Sequence, residues 1–380
     1  MKILIISHTY CAAINRVKWV KLAELYPECS IKVVFPDVWP DVLFTHDSKT
    51  IENSGFSNCS FLPLKSFRAG NEVLYRYSFK SFVKIMRSFR PDLIHVEQGD
   101  NALSYFQSII LSKIFCPKAH LAFFTWINWK EKRSLKYRLL WSWIEKFNLK
   151  FSHGAFVGNH DAKEILKDKS FLKPIKVLPQ LGVDLEFFKP SEKKNKEIVI
   201  SFIGRFVTEK GIYLLADAFS KLVKDFSNIR LLYVGGGAEE SSLRGYIKKM
   251  ALSDKVDFVI SATHEKVRDV LQSADMLVLP SYDTNEWKEQ FGHVLIEAMA
   301  TKVVVIGSDA GEIPNVIADA GLVFTQKSTE DLYKALQLLL KDTFLKKSLI
   351  DLAYKRVQKM FSHEAIARET YSFWREIKGI

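Results

Sequence analysis

Apolar residues in this chain recur as short solid runs separated by amphipathic stretches. In the first half the runs Lys2–Ile6, Ile31–Phe35, Leu93–Val96, Ala119–Phe124, Gly154–Val157 and Ile175–Leu178 have the length of buried strands. Between them, Arg16–Tyr26, Phe79–Phe89, Ala102–Phe115, Ser134–Lys150 and Ala162–Lys167 carry their apolar residues at helical spacing. This alternation predicts a parallel sheet covered by helices on both faces. A polar, charged, Pro-containing stretch then intervenes at Phe187–Lys196 and reads as a domain boundary. Beyond it the alternation starts again. Ile198–Ile203, Ile229–Val234, Val256–Ile260, Met276–Leu279, Val303–Ile306 and Leu322–Phe324 read as strands, Ile212–Val223 and Ser241–Met250 as helices. Three helical stretches close the chain, the last near Glu364–Ile377. The expected architecture is α/β, with two doubly wound Rossmann-like domains in tandem.

Composition adds limits. A length of 380 residues suits two domains, and 48% apolar with 26% charged residues is ordinary for globular proteins. No apolar run reaches about 18 residues, so no transmembrane helix is expected. Met1–His8 reads as a first strand rather than a signal peptide. Cys11, Cys29, Cys59 and Cys116 are widely spaced, which points to reduced buried thiols in a cytoplasmic protein without structural zinc. The charge is lopsided: residues 1–190 hold 28 Lys or Arg against 17 Asp or Glu, and residues 191–380 hold 27 against 26. A basic half points to anionic partners: phosphates, nucleic acid or an anionic membrane face. Ser134–Leu149, with Trp141 and Trp143, follows Lys130, Lys132 and Arg133. It reads either as a surface that docks on an anionic bilayer or as a sheet-covering helix with a basic outer face.

Candidate chemistry gathers in the second half. Ser281–Glu289 is polar and reads as a loop, and Phe291–Ala300 reads as a helix with Gly292 at its opening and Glu297 about two turns in. A helix start offers free N–H groups and a positive dipole end, and glycine lets a ligand approach that backbone. Carboxylates beside an anion site suit hydroxyls of a sugar or ribose; the plainer alternative is two solvated charges. His293, one step inside the helix, either lines this pocket or is a partly exposed helix residue. Arg205 and Lys210 bracket the loop after the Ile198–Ile203 strand, where Gly204 permits a tight exit. Together they suit a diphosphate, or they are two ordinary solvent-facing cations. Gly235, Gly236 and Gly237 follow the next strand and permit either close approach of a ligand or a tight turn. Neither a Walker loop nor G-x-G-x-x-G is present, which weakens the NTPase and dehydrogenase readings. In the first half the loops after two strands, Ser7–Asn15 and Glu97–Asn101, stand where doubly wound sheets bind ligands.

In order and spacing, Gly204–Gly211 (GRFVTEKG), Val234–Glu239 (VGGGAE), Glu289–Ala300 (EQFGHVLIEAMA) and Ser308–Pro314 (SDAGEIP) resemble the family-4 type of retaining glycosyltransferases, group 1, of GT-B fold. Leu178–Asp184 and Pro91–His95 are similar to the family's interdomain entry and an N-domain strand. The resemblance implies domains at 1–183 for the acceptor and 184–360 for the nucleotide sugar, facing a cleft whose closure excludes water. A helix at 361–380 would return to the first domain. It implies that Arg205 and Lys210 hold the donor diphosphate, that Glu297 takes the ribose hydroxyls and Glu289 those of the transferred sugar. Phe291, Gly292 and His293 would lie near sugar and phosphate, Gly204, Gly235 and Gly236 near the donor, and Ile260 near the base. No metal or other cofactor would be needed beyond a UDP-, GDP- or ADP-sugar as co-substrate.

The chain departs from the family pattern in the first loop, which lacks paired glycines, in Phe124–Asn128, which lacks a His, and at Lys302 and Val304. On the acceptor side the candidates are His8, Arg16, Glu97 and Gln98, while His95 reads as a buried strand residue. The implied function is transfer of a sugar to a saccharide or lipid-linked acceptor in cell-envelope glycoconjugate synthesis. The enzyme would be cytoplasmic and peripheral at the inner face of the plasma membrane, with no nucleic acid as partner. The alternatives are a donor-binding protein without transfer activity and a GT-B sugar-nucleotide epimerase.

Overall fold

The computed structural model describes residues 1–40, 55–129, 135–192 and 197–380, with backbone alone for 135–140. Lys130, Lys132, Arg133 and the 193–196 part of the expected boundary lie outside the described residues. The chain divides into two compact units, residues 1–182 with 363–380 and residues 183–362.

The first unit is built on seven parallel strands among the described residues: β1 (Lys2–Ile6), β2 (Ser30–Pro36), β3 (Cys59–Leu64), β6 (Leu93–Val96), β7 (His120–Thr125), β8 (Gly154–Val157) and β9 (Ile175–Val177). Their order is β3-β2-β1-β6-β7-β8-β9. A small antiparallel ribbon, β4 (Ser66–Phe67) with β5 (Arg76–Tyr77), stands beside this sheet. Helices α1 (Val17–Leu25), α2 (Phe79–Phe89), α3 (Leu103–Phe115), α4 (Leu135–Phe151) and α5 (His160–Asp168) follow the strands much as the periodicity expects. Burial on both faces keeps Leu93–Val96 and Gly154–Val157 wholly apolar apart from His95. β3 escapes the sequence reading because it is an edge strand carrying Pro63, which only an edge tolerates.

The second unit carries six parallel strands: β10 (Ile198–Arg205), β11 (Ile229–Gly236), β12 (Val256–Ile260), β13 (Met276–Leu279), β14 (Val304–Ser308) and β15 (Leu322–Phe324), in the order β12-β11-β10-β13-β14-β15. Its helices are α6 (Ile212–Asp225), α7 (Glu240–Lys249), α8 (His264–Ser273), α9 (His293–Ala300), α10 (Ile313–Ile317), α11 (Thr329–Lys341) and α12 (Thr343–Arg356). Helix α8 goes beyond the elements the sequence pattern yields; Thr263 caps it through its hydroxyl on the Lys266 N–H.

The closing helix α13 (His363–Lys378) is part of the first unit, not the second. Its Trp374 is fully buried and stacks on Trp19 of α1 with ring centroids 5.8 Å apart, and Tyr371 stacks on Tyr26 at 3.8 Å. Lys176 on β9 pairs with Glu369 at 2.5 Å.

Candidate functional site

In each unit the strand order reverses direction at one point: between β1 and β6 in the first, between β10 and β13 in the second. Side chains beyond the carboxyl ends of these strands converge there.

In the second unit, β10 runs out at Arg205 and a short turn, Thr208–Lys210, leads into α6. Gly211 at the start of α6 adopts φ +70°, and a Cβ there would sit 2.0 Å from the Pro280 carbonyl oxygen. That contact draws the loop after β10 against the loop after β13, and the Tyr282 N–H donates to the Glu209 carbonyl at 2.9 Å. Lys210 and Glu289 are thereby brought together: Lys210 Nζ lies 2.6 Å from Glu289 Oε2. The Ser281 hydroxyl donates to the same carboxylate oxygen at 2.8 Å, and the Ser308 hydroxyl in turn donates to the Ser281 carbonyl. Lys210 also stands over the Trp287 ring at 5.0 Å. Gly311, at φ +49°, lets the backbone of the next loop close on Glu289, whose carbonyl accepts from the Glu312 N–H at 3.1 Å. Arg205, the last residue of β10, is exposed.

Helix α9 opens at His293, with Gly292 at φ +80° as the residue before it. A side chain at Gly292 would meet Leu279 at 2.7 Å, so glycine is needed for packing as well as for the turn. Phe291 is buried, its ring 4.8 Å from that of His293 and 5.6 Å from Phe361. Because the helix begins two residues later than the sequence pattern predicts, Glu297 lies four residues in, little more than one turn rather than two. Burial pushes its carboxyl up to about 7. It can therefore change charge near neutrality, which an ordinary carboxyl does not.

The glycine run after β11 has a packing role that the sequence left open. Gly235 at φ +137° and Gly237 at φ +155° face the Gly204 and Phe206 carbonyl oxygens, at 2.0 and 2.5 Å from a hypothetical Cβ. The Phe206 N–H donates to Gly236 at 2.8 Å, and the Glu239 N–H to Phe206 at 3.0 Å. The run thus welds the loop after β11 to the loop after β10. At Gly236 the nearest contact is Ile260, 3.8 Å away, and Ile260 is itself partly exposed at the end of β12.

The acceptor-side candidates of the first unit separate into two kinds. Arg16 and Glu97 are buried and engaged, and do not present their charges to solvent. Arg16 Nε donates to the Tyr10 carbonyl at 2.7 Å, and its guanidinium lies over Phe35 at 4.3 Å. Glu97 accepts from Lys18 at 2.7 Å, from Gln180 at 3.0 Å and from the Tyr10 hydroxyl. Lys18 donates again to the Gln180 carbonyl at 2.6 Å. Burial alone would raise the Glu97 carboxyl, but Lys18 holds it below the usual range. His95 is buried against Phe156, 4.5 Å away and nearly parallel, and burial drops it to about 3, so it stays neutral.

His8 and Gln98 are the second kind. Gln98 Nε2 and His8 Nδ1 lie 2.5 Å apart, His8 stacks on Trp39 at 4.5 Å, and its Nε2 is 3.5 Å from Glu72. Three further residues join this edge that the motifs do not flag. Gln180 donates to the Thr9 hydroxyl at 2.9 Å, and the Trp126 indole donates to Gln180 at 3.1 Å. The signal for them is positional, because Thr9, Trp126 and Gln180 each follow a strand of the sheet.

This architecture is that of a GT-B protein. It is shared over the whole chain with sucrose-phosphate synthase of Thermosynechococcus elongatus (TM-score 0.71, 22% identity, 100% of this chain and 99% of that one). HepE of Anabaena, solved in complex with UDP, matches with TM-score 0.74 at 16% identity over 99% of this chain and 100% of its own. Residues 183–356, nearly the whole of the second unit, match the family model described as Glycosyl transferases group 1. Among curated relatives, the gpi3 subunit of phosphatidylinositol N-acetylglucosaminyltransferase from Schizosaccharomyces pombe is 26% identical over 59% of this chain and 49% of its own. D-inositol 3-phosphate glycosyltransferase of Mycobacteroides abscessus is 32% identical over 42% of this chain and 38% of its own. The chain spans about half the length, or less, of these curated relatives.

Proposed function

We propose that the protein transfers a sugar, with retention of anomeric configuration, from a nucleotide sugar to a hydroxyl of a saccharide or lipid-linked acceptor in cell-envelope synthesis. The observation that carries this reading is the cluster at the β10–β13 switch point, Lys210 paired with Glu289 at 2.6 Å and Ser281 on the same carboxylate, with Arg205 exposed at the end of β10. It lies inside the stretch that matches the group 1 model. The names of the relatives add support, since several are glycosyltransferases and one structural neighbour was solved with UDP.

The chemistry follows from charge. Breaking the glycosidic bond to a nucleoside diphosphate leaves negative charge on the departing phosphate. Arg205 can grip two phosphate oxygens and Lys210 adds a second positive charge, so the two cations stabilise that charge as it develops. In this role they do what a divalent ion does elsewhere, hence the metal-independent reading. Lys210 is held now by Glu289, which keeps its ammonium oriented at the strand ends. Glu289 would then hold sugar hydroxyls with its second oxygen, and Glu297 the ribose diol. The Gly204, Gly235 and Gly236 backbone and Ile260 would border the base and phosphate side, with Phe291, Gly292 and His293 on the sugar side. On the acceptor side His8, Gln98, Thr9, Trp126 and Gln180 offer hydrogen-bonding groups suited to a polyhydroxylated acceptor.

A thermal-shift series with UDP, GDP, ADP and their sugars tests the donor site, followed by transfer to radiolabel-traced acceptors. One nucleotide should stabilise the protein, and Arg205→Ala should abolish that shift and lower transfer by about a hundred- to a thousandfold. A folded protein that no nucleotide stabilises, and that transfers no sugar, would sink the reading.

A further inference from the structure

Helices α3 and α4 lie side by side in the first unit and carry exposed apolar residues on their outer sides. On α3, Phe106, Ile110 and Ile114 recur every fourth residue; on α4, Trp143, Phe147 and Phe151 do the same. Such spacing puts each triplet in one line on its helix. Their opposite faces are the buried ones: Ser104, Tyr105, Ser108 and Ile109 on α3, Ile144 and Asn148 on α4. The two lines touch, with Phe106 5.3 Å from Trp143 and 4.9 Å from Phe147, and Phe147 4.6 Å from Phe151. Three of the six are exposed, Trp143 at 53%, Ile114 at 61% and Ile110, while Phe106 is half-buried and Phe147 and Phe151 pack on the core beneath.

The rim is cationic. Lys113 stands 5.0 Å over the Phe151 ring and Lys150 5.8 Å from it, and Lys146 is exposed on α4 one turn before Lys150. Acid is scarce in these helices. The segments forming α2, α3 and α4 hold three, one and four Lys or Arg respectively and a single acidic residue, Glu145. Glu145 is buried and paired with Lys169 at 2.5 Å, so it does not offset the rim. Exposed aromatic and aliphatic side chains flanked by lysines, on helices whose one acidic residue is buried, have the composition of a surface that lies in the headgroup boundary of a bilayer. Indole and phenyl rings settle there, and lysine stems reach past them to the phosphates. No helix among the described residues is long and apolar enough to cross a membrane.

We propose that the α3–α4 face is a membrane-docking surface: Trp143, Phe106, Ile110 and Ile114 enter the interface of a bilayer, and Lys113, Lys146 and Lys150 bind its anionic headgroups. The occupant is an anionic lipid surface. The lysines supply selectivity over neutral lipid, and the exposed apolar residues supply the part of binding that salt does not remove. This surface is independent of the donor chemistry, so its test uses neither nucleotide sugar nor acceptor.

The full chain is sedimented with vesicles of phosphatidylcholine alone and of phosphatidylcholine with phosphatidylglycerol, at low and at physiological salt. It should bind the anionic vesicles and leave the neutral ones. The Lys113→Gln/Lys146→Gln/Lys150→Gln variant should lower the partition coefficient by roughly a hundredfold. Trp143→Ser with Ile114→Ser, both at exposed positions where folding is not at risk, should lower it by at least about tenfold and leave the remainder salt-sensitive. A matched control on the second unit, Lys248→Gln/Lys249→Gln/Lys266→Gln, should bind as the parent does. The proposal is overturned if the parent ignores anionic vesicles, if the control loses as much as the lysine variant, or if the serine variant binds undiminished. Binding to heparin or RNA in place of vesicles would overturn it too, by pointing to a different polyanion.

Discussion

Each unit places a Lys–Glu pair at the reversal point of its sheet, and the two pairs have different fates. Lys18 and Glu97 are 2.7 Å apart with side chains 2% and 1% exposed; Lys210 and Glu289 are 2.6 Å apart with side chains 13% and 9% exposed. In the first pair Tyr10 and Gln180 take up the second carboxylate oxygen, and the Gln180 carbonyl takes a further ammonium proton. The second is less deeply enclosed, with Lys210 only partly buried. The same residues at the same place in a sheet thus make an internal lock in one unit and a less deeply enclosed charge cluster in the other. What separates them is depth of burial.

Breaking the first pair should have the largest effect. Glu97→Ala leaves an ammonium buried among Trp19 and backbone carbonyls, and should cost the first unit about 3–5 kcal/mol in urea unfolding. A change under 1 kcal/mol would mean that water reaches Lys18 and that the two pairs are alike.

Glu297→Gln gives the next effect, and it depends on pH. The folded protein favours the protonated carboxyl, whose pKa rises from 4.5 to about 7. The burial penalty is therefore absent below the ordinary carboxylate range, grows as pH rises toward 7, and is constant above it. The glutamine variant should match the parent near pH 4.5 and exceed it at pH 8 by up to roughly 3 kcal/mol in calorimetry. In the parent, a nucleotide whose ribose hydroxyls bind the ionised carboxylate should bind more tightly at pH 8 than at pH 6. Identical stability curves for variant and parent would place Glu297 in water.

The smallest stability effect should come from Lys210→Met. The pair is less deeply enclosed and Ser281 still serves Glu289, so unfolding should change by about 1 kcal/mol, while stabilisation by nucleotide disappears. A loss as large as that of Glu97→Ala would remove the contrast.

Most of the sheet was legible in the chain because fully buried parallel strands write themselves as solid apolar runs. Eleven residues of α2 and thirteen of α3 likewise follow from helical spacing. The edge strand β3 did not show, since Pro63 and half-exposure blur its pattern. Around the reversal point of the second sheet the motif residues Arg205, Lys210, Glu289 and Glu297 could be named from sequence. Ser281 and Ser308 could not, since a serine after a strand carries no signal of its own. Trp143 shows the converse limit. Its spacing suited a core stripe and an outer face equally, and only the neighbouring helix decides.

The sequence by itself determined the alternation of strands and helices, the two-unit plan, the charge asymmetry and the loops that carry Lys and Glu. Periodicity and composition are local properties, so they survive without coordinates. The tertiary structure alone decided that Glu97 is sealed while Glu289 is less deeply enclosed, and that the glycines after β11 serve backbone packing. Each depends on which distant groups meet, and burial and hydrogen-bond supply at a point in space are not written at any one position of the chain.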